Sequence, residues 1–302
     1  MQRTLILLAV LLSLVIPSVS TADDDARDYI PAPPGTLAII GYYKHIWGDS
    51  IYADGNKVTS NIDFKEEFGM LRVVYFTQLG PFVIDPQFLL PIAGANLDTS
   101  KIGGADLSST GAGDLLLAAT CWFINDPQKK MWLGFTPFLS IPTGVYDNMS
   151  PINIGNNRWA FKPEIGFVKG LGEKTYIDLI ANVEVYSDND DYLGHAKLEQ
   201  DPIVTLEAHL SYDLTKTLYV STDYFYHYGG KTTVDDISQS DRQSNHALQF
   251  TVGYSFLPGY QVLLQYRNDF EVESGIPTQQ IGLRFMYAFD LNSNCYASSA
   301  PK

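Results

Sequence analysis

The run from Gln280 to Phe289 alternates large apolar residues with small or polar ones. Ile281, Leu283, Phe285, Tyr287 and Phe289 fall on one side, and Gln280, Gly282, Arg284, Met286 and Ala288 on the other. A period of two puts successive side chains on opposite faces of a strand, so this strand has an oily face and a face that carries its charge. One such strand fits a soluble sandwich. Recurrence narrows the choice, because runs of this kind follow one another from residue 36 to residue 290.

Residues 1–22 read as a signal peptide. Arg3 supplies the positive charge, Leu5 to Ile16 the apolar core and Pro17 a break, and Ser18-Val19-Ser20 or Ser20-Thr21-Ala22 offers small residues for cleavage. The apolar core is about 12 residues long, short of the roughly 20 that span a bilayer, and no cysteine follows it to carry a lipid. No later stretch is long and apolar enough for a membrane helix. An exported chain of this kind is either soluble or a closed barrel, since only helices and closed barrels satisfy their backbone groups in lipid.

Twelve strands are expected, at 36–47, 62–78, 82–94, 112–124, 131–142, 158–169, 175–187, 202–213, 217–228, 245–257, 260–271 and 278–290. Short connections rich in turn residues, such as Gly170-Leu171-Gly172 and Leu257-Pro258-Gly259, alternate with long polar ones such as Ala95–Gly111 and Asp188–Asp201. An even count with alternating short and long connections is the pattern of outer-membrane barrels. The fold class expected is therefore all-β, a transmembrane antiparallel up-and-down β-barrel of about 12 strands. Residues 23–35 form a proline-rich periplasmic lead-in, 36–290 the barrel and 291–302 a C-terminal periplasmic tail. The first two strands resist orientation. Aromatics make up 13% of the chain and gather near strand ends, as in membrane girdles.

The faces opposite the oily ones define a lumen. Asp85, Gln87, Asp114, Lys162, Glu164, Asp178, Glu184, Glu207, His209, Asp223, His227, Arg267, Asp269 and Arg284 are expected to face it. Two readings stand side by side. Mixed signs form salt-bridge ladders that fill and rigidify the barrel, or they line a narrow pathway and set its selectivity. In the lead-in, Asp23, Asp24, Asp25 and Asp28 suit lumen bases such as Lys162, Arg267 and Arg284, while Tyr29 and Ile30 suit apolar gaps. Asp28, Tyr29 and Ile30 are thus candidate plug residues, the alternative being a disordered tether.

The formal charge of −14, with no basic patch, excludes nucleic acid as a partner. Acids at Asp188, Asp190, Asp191, Asp235, Asp236 and Asp241 read as solvated loops or as sites for ion bridges to lipopolysaccharide. Cys121 falls on an expected lipid face and Cys295 in the tail, so pairing between them is the minority reading. No cofactor or metal motif and no catalytic constellation is present, and the chain is expected not to be an enzyme. Ser244-Asn245-His246, at the top of the tenth strand, is the local sequence that an outer-membrane rim hydrolase would use.

The final strand also reads polar-x-Gly-x-x-aromatic-x-aromatic through Gln280, Gly282, Phe285 and Tyr287. It resembles the carboxy-terminal signal of bacterial outer-membrane barrels, which implies insertion by the barrel assembly machinery. Larger stretches resemble the Gram-negative outer-membrane protein family named for the meta-pathway of phenol degradation. They are the lead-in Asp28–Thr36, Gly111-Ala-Gly-Asp114 with Trp122, Pro142-Thr-Gly-Val-Tyr-Asp147, and Ile154-Gly-Asn-Asn-Arg-Trp159 with Phe161, Pro163 and Gly166. The resemblance implies an outer-membrane, transporter-like barrel among lipid and lipopolysaccharide, moving hydrophobic or aromatic compounds. The expected function is a channel for passive uptake of small solutes, with a rim hydrolase or a sealed structural or adhesin barrel as alternatives.

Overall fold

The computed structural model describes residues 23–291; the expected signal peptide and nearly all of the expected tail, Cys295 included, lie outside them. Twelve strands form the wall: β1 (Thr36–Gly48), β2 (Asp63–Tyr75), β3 (Phe82–Asp98), β4 (Leu115–Asp126), β5 (Met131–Ile141), β6 (Ala160–Leu171), β7 (Thr175–Tyr186), β8 (Ile203–Asp213), β9 (Leu218–Gly229), β10 (Gln243–Leu257), β11 (Tyr260–Glu271) and β12 (Gln279–Asp290). Each pairs antiparallel with its neighbours in sequence, and β12 returns to β1, with Thr36 opposite Asp290 and Trp47 opposite Gln279. The ring therefore has no open edge, and every strand finds its hydrogen bonds inside the wall. The shortest barrel strands have 11 residues. At about 3.3 Å per residue and a tilt of about 40°, that length crosses an apolar band of about 25 Å.

The polarity of the wall is the reverse of a soluble protein's. On β12, Ile281, Leu283 and Phe285 are 49%, 45% and 43% exposed, while Arg284 between them is 6% exposed. Phe161 and Ile165 on β6, Leu206 and Leu210 on β8, and Phe250 and Tyr254 on β10 are likewise bare on the outer surface. So continuous an apolar band is stable only against lipid. Rings gather at both ends of the β9–β12 wall. Tyr254, Phe256, Tyr260, Phe285, Tyr287 and Phe289 touch one another at the end with short turns. Tyr226, His246 and Phe270 do so at the end with long loops.

Several boundaries differ from the sequence expectation. The second strand ends at Tyr75, and Thr77–Leu79 is a separate piece paired with the start of β3. β3 runs on to Asp98, where Asp106–Ala112 pairs with it before β4 begins. The long connections are not bare loops. Ile51–Ala53 and Asn56–Thr59 form a hairpin, and Asn189–Tyr192, Ala196–Gln200, Thr232–Val234 and Ile237–Ser238 form a four-stranded sheet. Ile51, Ile62 and Ile152 from these loops are buried with Phe64, Leu97 and Leu116, so loop residues fold inward over one end of the barrel.

The first two strands resisted orientation for a physical reason. Their inward face mixes buried apolar Ile40, Ile46, Phe64, Phe68 and Met70 with Lys44, Glu66 and Arg72, and their outward face holds His45, Lys65 and Glu67, so neither face reads as the oily one. Outside, near the loop end, Glu67 accepts hydrogen bonds from Tyr43 Oη at 2.6 Å and pairs with His45 at 2.7 Å, a polar group on the lipid-side face.

Candidate functional site

The lumen is divided lengthwise. The wall from β6 to β12 carries most of its charge: Lys162, Glu164, Asp178, Glu184, Glu207, His209, Asp223, His227 and Arg284 are buried and Arg267 nearly so, while Lys44, Glu66, Arg72 and Asp85 stand on β1 to β3. The wall from β1 to β4 presents Phe68, Met70, Leu89, Pro91 and Leu116. Between the two runs the segment before β1.

That segment is bound mainly to the charged wall. Asp23 pairs with Arg267 and with His227, the latter at 3.1 Å. Asp25 and Asp28 each lie 2.7 Å from Arg284, and Asp28 also reaches Arg72 at 3.2 Å. The Asp24 amide donates to Glu207 at 3.1 Å. Arg27 does the reverse, a cation delivered to acids of the wall. Its amide donates to Asp178, its Nε to Ser211 Oγ at 2.9 Å and its Nη1 to Asp213 at 2.7 Å. The guanidinium lies 4.5 Å and 4.4 Å from the centroids of Tyr176 and Tyr219. Arg27 has φ of +76°, a left-handed conformation that a non-glycine residue holds only when such contacts fix it.

Tyr29 is seated in a notch. Gly134 on β5 stands directly opposite Gly166 on β6, and both point inward. A Cβ on Gly166 would lie 2.3 Å from the Tyr29 ring, and one on Gly134 would lie 2.9 Å from it. The phenol hydroxyl donates to Glu164 at 2.8 Å and meets Thr136 Oγ1 at 2.8 Å, while Trp122 Nε1 donates to the Tyr29 carbonyl at 2.9 Å. Ile30 packs on the same cluster as Trp122 and Val168.

Asp24, Glu164 and Glu207 bring carboxylate oxygens within 4.8 Å of one another, the arrangement among the described residues best able to hold a hard cation. Glu164 is already engaged by Tyr29, by Asn182 at 3.0 Å and by Lys162 at 3.2 Å. The crowding falls on Asp24, whose carboxyl is pushed well above the usual aspartate range by burial and then by the Glu164 and Glu207 charges.

The expected lumen residues therefore do different things. Arg267, Arg284 and His227 meet aspartates of the lead-in, so the cross-wall ladders read from the sequence are largely replaced by pairs to the N-terminal segment. His209 bridges Asp223 at 3.0 Å and Glu207 at 3.3 Å. Asp85 accepts from the Thr120 amide at 2.6 Å and from Gln87 at 3.3 Å. Glu184 accepts from Tyr186 Oη at 3.0 Å, and Asp269 takes the Thr278 amide at 3.0 Å. Asp114 is a rim fastener. Its two oxygens accept from the Gly144 and Asn156 amides at 2.9 Å and 2.8 Å, and so join three loop stretches. Arg27, Arg72, Lys44 and the apolar wall were not singled out from the sequence. Arg27 and Arg72 were legible only as isolated bases, and the apolar wall was hidden by strands that mix apolar and charged residues on both faces.

At the rim, Ser244 and His246 are hydrogen-bonded to different tyrosines and not to each other. Ser244 Oγ lies 3.4 Å from Tyr226 Oη, and His246 Nδ1 lies 2.7 Å from Tyr224 Oη. Cys121 sits half-buried on β4 with no disulfide partner among the described residues.

A cavity remains where the two walls and the segment meet. Asp23, Asp24, Asp25 and Asp28 bound it on one side and Phe68, Met70, Leu89, Pro91, Leu116 and Phe138 on the other, with Tyr42, Lys44, Arg72 and Gln265 between.

The family model described as "Putative MetA-pathway of phenol degradation" matches residues 48–285. The COG4313 outer membrane channel from Pseudomonas putida F1 is similar in structure, with a TM-score of 0.83 and 31% identity over 88% of this chain and 100% of that one. The beta domain of the Bordetella autotransporter BrkA shares the fold at a TM-score of 0.53 and 10% identity, over 85% of this chain and 100% of that one. No curated protein sequence matches the chain.

Proposed function

The chain belongs to this phenol-degradation family of outer-membrane β-barrel channels, and from that premise we propose that it passes small apolar or aromatic solutes passively, along the apolar wall and past the N-terminal segment. One observation carries the reading: the segment pairs with Arg72, His227, Arg267 and Arg284 and leaves Phe68, Met70, Leu89 and Phe138 on the cavity wall. A lumen built for hydrophilic solutes keeps its charged residues facing water. Here a solute with an aromatic face exchanges water for side-chain contact, at about 25 cal/mol per Å² of apolar area buried. In this reading the short turns and the lead-in face the periplasm, and the segment narrows the pathway as a plug.

Swelling of liposomes that carry the purified barrel tests it. Phenyl glucoside and methyl glucoside share a sugar that bare lipid excludes, and the phenyl compound is the larger. Faster uptake of phenyl glucoside is expected. Uptake ordered by size alone would contradict the apolar pathway, and no uptake of either would mark a sealed barrel.

A further inference from the structure

Lys44 is the cation that the cavity leaves over. Around the same space Asp23 is engaged by Arg267 and His227, Asp25 by Arg284, and Asp28 by Arg72 and Arg284. Asp24 turns to Glu164 and Glu207. Lys44 makes no ion pair among the described residues. Its stem lies over Gly282, where an added Cβ would come within 3.7 Å of it, and its ammonium stands 5.8 Å from the Phe68 ring centroid. Glu66 also faces inward, one inward position nearer the loop end; it forms no ion pair with Lys44, though the two charges attract at longer range. A half-buried ammonium beside an apolar wall lacks the compensation that buried charges elsewhere in this lumen have.

We propose that this cavity binds an amphipathic organic monoanion. The carboxylate sits on Lys44 Nζ, and the aryl or alkyl part lies on Phe68, Met70, Leu89 and Phe138. Charge complementarity sets the class. Asp23, Asp25 and Asp28 are held by arginines and Asp24 faces Glu164 and Glu207, so Lys44 meets the apolar surface with no ion-pair partner of its own among the described residues, and a negative charge placed there supplies one. The inference rests on the reading that apolar solutes traverse the lumen, and it adds the head group they carry.

The test measures equilibrium binding of 4-phenylbutyrate and its neutral counterpart 4-phenylbutanamide to the barrel in nanodiscs, with empty nanodiscs subtracted. The carboxylate is expected to bind about tenfold more tightly than the amide, the worth of one charge-assisted contact. Lys44→Met keeps the apolar stem and is expected to abolish that preference while still binding the amide, which also shows that the variant is folded. Lys44→Arg is expected to retain it. Equal affinity for both compounds in the wild type, or a preference that survives Lys44→Met, overturns the anion site and leaves the apolar pathway standing. Absence of binding by either compound contradicts both readings.

Discussion

Gly134 and Gly166 face each other across β5 and β6, and the space their missing side chains leave is filled by the Tyr29 ring. Neither glycine has a left-handed backbone to explain it, so close approach is the reason for both. Gly166→Val is therefore expected to expel Tyr29 while leaving the outer face of β6 unchanged. The readout is protease cleavage within residues 23–34 of the folded barrel, slow in the wild type and fast in the variant. Tyr29→Phe removes a buried hydroxyl with two partners and is expected to weaken docking by about 1–3 kcal/mol. Equal protection in wild type and both variants would show that the notch does not hold the segment. The sequence displayed Tyr29 as a ring able to fill a gap, but not the gap. Two inward glycines on neighbouring strands become a notch only once register sets them opposite, and pattern alone does not supply register.

At the scale of the segment, docking rests on sign complementarity, which was legible. Acids ahead of a barrel with unmatched lumen bases point inward. Arg27 was not, because its partners Asp178, Ser211 and Asp213 are brought together only by the pairing of β7 with β8. The crowding at Asp24 gives docking a pH dependence. Its carboxyl holds a proton more tightly when docked than when free, since burial and the Glu164 and Glu207 charges raise it. That contribution is full below the ordinary aspartate range and is lost as pH rises through the raised value. Channel openings are thus expected to become more frequent as pH rises, and Asp24→Asn is expected to flatten the dependence. A pH response identical in wild type and Asp24→Asn would remove Asp24 from the account.

Across the whole molecule, the outer surface was the legible part. On β6, β7 and β8 a single oily face with acids or bases behind it, and on β10 one with Gln249, Thr251 and Ser255 behind it, reads as a membrane strand without further help. The interior was harder, because strands that mix apolar and charged residues on both faces, as β1 and β2 do, leave no clean alternation to read. The small sheet over the loop end was missed for a related reason: its strands have two to five residues and are polar. Surface and interior together describe a closed β-barrel with residues 23–33 packed inside it, where they would narrow the channel. Single-channel conductance of the full chain, compared with a deletion of Asp23 to Pro33 that still migrates as a compact band until boiled, tests it most directly. A several-fold larger conductance is expected for the deletion. An unchanged conductance in a correctly folded deletion would contradict it.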